Sequence, residues 1–385
     1  MTPAARLSAA IEVLDRVLTG APAEQVLTNW GRASRFAGSG DRNAVRDLVY
    51  DALRCRRSYA AMGGAETGRG LMLGALRAAG TDPATLFTGE GHAPHPVTPG
   101  EEGRAPDAAE ALDLPDWLLP QLTESLGDDL TRIAQALRQR APVFLRVNLR
   151  RATVAQAIAA LQTEGITAEP HALADTALEV TDGARKIQTS QAYLSGLVEL
   201  QDAASQAVVN ALPLRDGMRV LDHCAGGGGK TLAMAARASL SLFAHDAFPA
   251  RMRDLTSRAS RAGAKVKLTE TPEALAPFDL ILADAPCSGS GSWRRDPQGK
   301  WALTPGRLAE IGTIQDQILD RLAPMTGPGG MLAYATCSLL RAENEDRIAA
   351  FLTRTPGWCL KSTQRFTPLT GGDGFFLALL TQGQP

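Results

Sequence analysis

The chain has 385 residues, 44% of them hydrophobic, and a formal net charge of −1: enough for two or three domains with full cores, and no global basic surplus, so any nucleic-acid contact must be local. No run of about 18 apolar residues could span a bilayer, and the start lacks the basic and apolar stretches of a signal peptide, which predicts a cytoplasmic protein without a membrane partner. The five cysteines, Cys55, Cys224, Cys287, Cys337 and Cys359, are scattered with no CxxC pair, which argues against a zinc site or disulfide framework and predicts reduced thiols and no metal.

From Ala4 to about Ala61 apolar residues recur at helical spacing: Ile11, Val13, Leu14, Val17 and Leu18, then Val45, Leu48, Val49 and Leu53. Ser39-Gly40-Asp41-Arg42 supplies a helix start, Leu71 to Ala79 continues the pattern, and Leu114-Pro115-Asp116-Trp117 opens a broken helical stretch to Arg140. Residues 1–140 therefore read as an all-α domain, interrupted from Gly89 to Asp107 by a Gly-, Pro-, Glu- and His-rich segment without periodicity, an exposed loop. A strand at Val143–Asn148, a helix over Val154–Glu164 and β-like residues at Ala177–Val180 predict a small α+β module over 141–210, which leads out through Val198-Glu199-Leu200-Gln201-Asp202.

From Leu212 strands alternate with helices. The expected strands are Arg219–Asp222, Leu242–His245, Val266–Leu268, Asp279–Asp284 and Gly330–Ala335, with Gly374–Leu380 closing the sheet. That order predicts an α/β, Rossmann-like domain over 211–385, a mostly parallel sheet with helices on both faces.

Four motifs carry chemistry. Val220-Leu221-Asp222-His223-Cys224-Ala225-Gly226-Gly227-Gly228-Gly229-Lys230-Thr231 is a strand turning through glycines into a helix, where bare N–H groups can meet a carboxylate or phosphate. A P-loop would need glycine where Cys224 stands, so an NTPase is discounted, while a dinucleotide fold stays open on this turn alone. Asp246 ends the next strand, where a carboxylate can accept from both ribose hydroxyls of a nucleoside. Phe278 to Asp284 delivers Asp284-Ala285-Pro286-Cys287 to a strand end, and Gly330 to Ala335 delivers Thr336-Cys337-Ser338. Two thiols at one sheet edge beside a cofactor turn point to a catalytic pair.

These motifs, in this order, resemble the RsmB/Nop/Sun family of RNA cytosine methyltransferases over about Val143 to Leu380. Gln201-Asp202-Ala203-Ala204-Ser205 and Glu343-Asn344-Glu345 support the likeness, and Asp41-Arg42 through Leu48-Val49-Tyr50 looks like the NusB-like RNA-binding domain that such proteins often carry. Two departures stand out. Gly226-Gly227 replaces the usual Ala-Pro, and after the third strand Glu270, within Thr269-Glu270-Thr271, takes the place of the acidic residue that meets the adenine end of the cofactor.

The resemblance implies a class I fold binding S-adenosyl-L-methionine through Cys224, Ala225, Gly226, Gly227, Gly228, Gly229, Lys230, Asp246, Arg251, Glu270 and Asp284. It also implies catalysis by Cys337, Cys287 and Asp284. Carbon 5 of cytosine is too weak a nucleophile to be methylated directly, so Cys337 would first add to carbon 6 as a thiolate. Asp284 would hydrogen-bond the base, and Cys287 would assist loss of the carbon 5 proton and release of Cys337, giving 5-methylcytosine. A base reached from both faces must be unpaired or flipped. Small-subunit rRNA is the expected substrate, tRNA the second, and a monomer the expected state; Arg251, Arg253, Arg294, Arg295 and Lys300, with Trp293 or Trp301 for stacking, are the expected RNA contacts. A nicotinamide-dependent dehydrogenase and a non-catalytic RNA-binding protein are the rivals; the first leaves both thiols unexplained, and intact cysteines speak against the second.

Overall fold

The computed structural model describes residues 1–383. Contacts divide the chain into two units: Met1–Arg140 together with Trp293–Leu303, and Ala141–Ser292 together with Thr304–Pro385. Among the described residues no helix is long and apolar enough to cross a membrane.

The first unit is all helical. Thr2 caps the Pro3–Leu18 helix by accepting from the Ala5 amide, and the periodic Leu7, Ala10, Val13, Leu14 and Val17 are buried. They pack with Val45, Val49, Ala52 and Leu53 of the Ser39–Arg54 helix and Leu71, Met72 and Leu73 of the Gly68–Ala78 helix. Glycine sets the closeness of one crossing: a Cβ on Gly63 would lie 1.7 Å from the Gly70 carbonyl oxygen, so the Arg56–Gly63 and Gly68–Ala78 helices meet backbone to backbone. The Gly89–Asp107 segment forms neither helix nor strand and is mostly exposed, tied down where Arg69 donates to Glu101 and to the His95 and Pro96 carbonyls.

Eleven residues from far along the chain complete this unit. Lys300, on the short Pro297–Ala302 helix, is 1% exposed and donates to the carbonyls of Arg54 (3.0 Å) and Asp113 (2.6 Å), while Trp301 Nε1 donates to the Leu53 carbonyl. Arg54 returns a bond to the Arg294 carbonyl, and Trp293 is 1% exposed. This corrects the expected RNA contacts: Trp293, Arg294 and Lys300 are buried, and Trp301 has its N–H bonded and its ring covered by Arg56 and Lys300. Buried in this way, they serve the core of the helical unit. Arg295 is exposed, as are Arg251 and Arg253.

The second unit begins with a four-stranded sheet. Strands β1 (Val143–Val147), β2 (Thr167–Pro170), β3 (Ala177–Asp182) and β4 (Val198–Leu200) run in the spatial order β2-β3-β1-β4, every neighbour antiparallel. The Val154–Thr163 helix, started by a Thr153/Gln156 capping box, lies over it through Ala157 and Leu161.

The seven-stranded sheet comprises β5 (Arg219–Asp222), β6 (Ser241–Ala244), β7 (Lys267–Leu268), β8 (Phe278–Asp284), β9 (Thr326–Thr336), β10 (Trp358–Phe366) and β11 (Phe375–Gln382). Its order is β10-β11-β9-β8-β5-β6-β7; β5 to β9 pair in parallel, β11 runs antiparallel to β9, and β10 antiparallel to β11. Alternation along the strands feeds two cores: Leu221, Ile281, Leu332 and Tyr334 pack with Leu319, Leu322, Ile348 and Phe351, while Val220, Leu280, Leu282 and Ala333 pack with Val208, Val209, Ala233 and Met234. The strand order reverses direction at β5 and β8, so their carboxyl ends border the crevice where such sheets hold ligands.

Candidate active site at the carboxyl edge of the sheet

Asp222 closes β5. One of its oxygens accepts from Thr231 Oγ1 at 2.6 Å and the other has no hydrogen-bond partner; with the residue 1% exposed, burial first, and then the charges of Asp284 and Asp246, push its carboxyl up to about 7. The chain then turns. The Ala225 amide donates to the His245 carbonyl and the Gly226 amide to Asp246 Oδ2 at 2.9 Å, fastening the turn to the end of β6. Gly228 caps the Gly229–Arg237 helix with φ of 81°, and a Cβ there would lie 2.0 Å from Leu255 Cδ1. The first helical bond is given by Leu232 to the Gly228 carbonyl, so the amides of Gly229, Lys230 and Thr231 have no acceptor within the helix.

The carbonyls of the turn are taken by arginines. Arg258 donates to Gly227 O, and Arg146, on β1 and 3% exposed, donates to Gly229 O at 2.7 Å and to Gln201. Burial brings Arg146 down to about 10. Glu199, on β4 and 1% exposed, pairs with Arg258 and Arg261. Sequence reasoning gave none of these three a role at the turn; the available signals were a charged residue inside each of two apolar strands, Arg146 in β1 and Glu199 in β4.

Asp246 also accepts from the Phe248 amide and lies 3.5 Å from Arg251; each carboxylate oxygen has two lone pairs, so it can take further donors. Cys224 is raised by burial and then by Asp284, Asp222 and Asp246, a convergence of negative field that suits a cationic ligand, as the helix-start amides suit a carboxylate. A zwitterionic sulfonium nucleoside fits this donor set. Glu270 is exposed on the rim of a hollow of about 220 Å³ shared with Pro249, Met252 and Thr269. Among the described residues no hydrogen bond or ion pair joins it to the turn.

The ends of β8 and β9 bring the other predicted residues together. Cys287 Sγ and Cys337 Sγ are 3.3 Å apart, both part-exposed and unbridged. Lys230 Nζ lies 2.7 Å from Asp284 Oδ2 and over the Phe375 ring. Burial opposes a charge on Lys230, but Asp284 outweighs it and holds the ammonium. The Cys337 thiol is lowered, above all by the hydrogen bond from Cys287, against burial and the Asp284 charge and with help from Lys230; Cys287 is raised by that same bond and by burial. The pair is thereby biased, with the proton favoured on Cys287 and thiolate character on Cys337.

Two residues given no chemical role by the motifs organise this corner. Glu343 accepts from the Ser288 amide and hydroxyl, the Ser338 hydroxyl and Gln315 Nε2, and Asn344 accepts from Thr336 Oγ1 and donates to the Ser338 carbonyl; both are fully buried. Among the described residues no three His, Cys, Asp or Glu side chains form a metal-holding group. Another hollow, about 1220 Å³, lies in the helical unit, lined by Ala5, Val26, Trp30, Phe36, Glu12 and His92 among others.

Residues 209–381 match the family model described as 16S rRNA methyltransferase RsmB/F, and residues 114–187 match the ferredoxin-like domain of the same family. This chain carries the methyltransferase domain of the RsmB/F family. Ribosomal RNA small subunit methyltransferase B of Enterobacter sp. (strain 638) is 35% identical over 284 residues, which take in 69% of this chain and 66% of that protein. The match thus spans just under two thirds of that relative's length. Among solved structures, PH0851 shares the fold over 99% of each chain, with a TM-score of 0.77 and 24% identity. A methyltransferase homologue from Pyrococcus horikoshii follows over 71% of this chain and 96% of its own, at 0.61 and 26%. The RsmB/F match takes in the glycine turn, both thiols, Asp284 and Glu343, while the β2-β3-β1-β4 sheet lies partly in the ferredoxin-like match.

Proposed function

We propose that this chain is an RNA (cytosine-5)-methyltransferase acting on small-subunit rRNA through a covalent adduct between Cys337 and the base. The observation that carries the reading is the thiol pair: two cysteines 3.3 Å apart, one biased toward thiolate and the other toward thiol, at the sheet edge beside the glycine turn.

S-Adenosyl-L-methionine would be held by the amides from Gly226 to Lys230, with Asp246 and Arg251 at the ribose end and Glu270 offered to the adenine, and it supplies an electrophilic methyl group. Cys337, its thiol lowered toward the thiolate, adds to carbon 6 of the cytosine, which makes carbon 5 nucleophilic. Asp284 and Lys230 form a neutral pair that meets the N3 and amino edge, steadying the charge that the attack drives into the ring. While Cys337 is held in the adduct, Cys287 gives its own proton to solvent and becomes the base that, after methylation, takes the proton from carbon 5. That C–H electron pair forms the carbon 5–carbon 6 double bond, the carbon 6–sulfur bond breaks, and Cys337 departs as thiolate. Cys287 stands 3.3 Å from that sulfur, close enough to return its own hydrogen bond to the leaving thiolate.

The test is a trapping experiment. Cys287→Ala and Cys337→Ala are each incubated with cofactor and unmodified rRNA and run on a denaturing gel. Cys287→Ala is expected to leave protein covalently attached to RNA, and Cys337→Ala to leave none and to transfer no methyl group. A band with Cys337→Ala instead reverses the two roles. Absence of any band, with a wild type that transfers no methyl group, rejects the enzymatic reading.

A further inference from the structure

The Glu343 carboxylate is 0% exposed and binds neither sulfur. It binds the residue that follows each cysteine: the amide of Ser288 at 2.7 Å and its hydroxyl after Cys287, and the hydroxyl of Ser338 after Cys337. Gln315, from the Pro305–Leu322 helix, adds a bond at 3.3 Å to the carboxylate and one at 2.9 Å to the Pro286 carbonyl, just before Cys287. Further ties bind the same two loops to each other: Ser290 Oγ lies 3.0 Å from Ser338 Oγ and accepts from the Leu339 amide, and the Gly291 amide donates to the Cys337 carbonyl. Glu343 itself is fixed to β9, because the Tyr334 hydroxyl donates to its carbonyl at 2.8 Å. Three separate stretches of chain thus converge on one buried carboxyl group.

We propose that Glu343 is a positioning residue of the thiol pair: by gripping the residue after each cysteine it fixes the separation of Cys287 and Cys337, and from the Cys287 side it adds to the difference between the two sulfurs. The inference rests on the catalytic reading of the pair given above. Among the described residues the donors that reach Glu343 are all neutral, and a charge in the low-dielectric interior acts more strongly on neighbouring acids than one in water. The groups facing the thiols divide by side. Asp284 and Lys230 act on Cys337, whereas Glu343 acts on Cys287; the buried Tyr334 phenol, raised first by burial, senses Cys287 and Glu343 as well. A negative charge on the Cys287 side makes a thiolate there costly, which adds to the bias of the proton toward Cys287. An amide at position 343 would keep one acceptor and the shape, but remove the charge and present an N–H₂ to hydroxyls that now donate.

The test needs neither RNA nor cofactor. The full chain is treated with iodoacetamide from about pH 6 to about pH 9, and the modification rate of each cysteine is read by peptide mass spectrometry, since the thiolate is the reacting species. The wild type is expected to label Cys337 first. Glu343→Gln is expected to cut the Cys337-to-Cys287 rate ratio about tenfold, the effect of a one-unit relative shift, and to move the Cys287 pH profile downward. Ser338→Ala, which keeps the charge and loosens the grip, is expected to slow diamide-driven disulfide formation between the pair while leaving the Cys287 profile in place. Melting curves establish that each variant is folded, and should Glu343→Gln not fold, Glu343→Asp, with the charge kept and the reach shortened, should retain the labelling order but slow the disulfide. A folded Glu343→Gln with the wild-type ratio, or a folded Ser338→Ala or Glu343→Asp with the wild-type disulfide rate, overturns the proposal. A wild type that labels as expected yet methylates no RNA counts against the enzymatic reading alone.

Discussion

Asp222 shows what a buried acid does to this fold. Its carboxyl takes up a proton near 7 in the folded chain but near 3.9 when unfolded, so between those values the folded state binds the extra proton. Stability from this group is therefore present at about pH 4, falls as pH rises, and is lost above about pH 7. Asp222→Asn should remove the penalty while its amide oxygen keeps the Thr231 bond. The variant should match the wild type near pH 4 and exceed it by about 4 kcal/mol near pH 8, as read by denaturant unfolding at both pH values; a gap that does not change with pH would show that the charge is not the cause. Single residues of this kind were partly legible. Asp246, Asp284, Cys287 and Cys337 each sit where an apolar run ends, and strand ends are where a sheet puts its ligands. The roles of Arg146, Glu199, Arg258 and Glu343 escaped, because each acts on groups brought near only by folding.

The glycine turn is the element on which the cofactor reading depends. Gly228 combines a left-handed φ of 81° with a Cβ position 2.0 Å from Leu255 Cδ1, so Gly228→Ala should cost about 2 kcal/mol or more. Adding Leu255→Ala should not restore the wild-type melting temperature, since it relieves the clash, leaves the backbone strain and opens a cavity of its own; full recovery would mean that the φ was never a constraint. Arg146→Met should leave the Gly229 carbonyl without its donor and weaken S-adenosylmethionine binding about tenfold by calorimetry, with a larger effect on affinity than on melting. The strands themselves were legible to the degree that they alternate or run apolar. β5, β8 and β11 lie within two residues of expectation at either end, whereas β10 was missed because its residues from Cys359 to Gln364 are all exposed, leaving no periodic signal. β9 begins at Thr326, four residues before the expected Gly330, because its Gly-Pro-Gly-Gly start reads as a turn.

At the scale of the whole chain, the helical unit is discontinuous. Residues 293–303 belong to it, through bonds between partners 240 to 248 residues apart. No local pattern records such a pairing, and a sequence read in consecutive blocks assigned this segment to the sheet domain and its side chains to RNA. The fragment 141–385 should consequently carry Trp293 and Lys300 without their partners. Limited trypsin digestion is expected to cut that fragment at Arg294, Arg295 or Lys300 while the full chain resists there, with the products identified by mass spectrometry. Equal resistance would mean that the segment holds its shape unaided.

The order in which a ribosome releases this chain gives that discontinuity a further meaning. At about 5–20 residues per second, the helices up to Arg140 wait on the order of ten seconds before Trp293 is made. Through that interval the Arg54 and Asp113 carbonyls lack the Lys300 ammonium and the seat of the Trp301 indole is open. The helical unit is finished only after the glycine turn and the Cys287 strand have left the exit tunnel, and the first part synthesised is among the last to be completed.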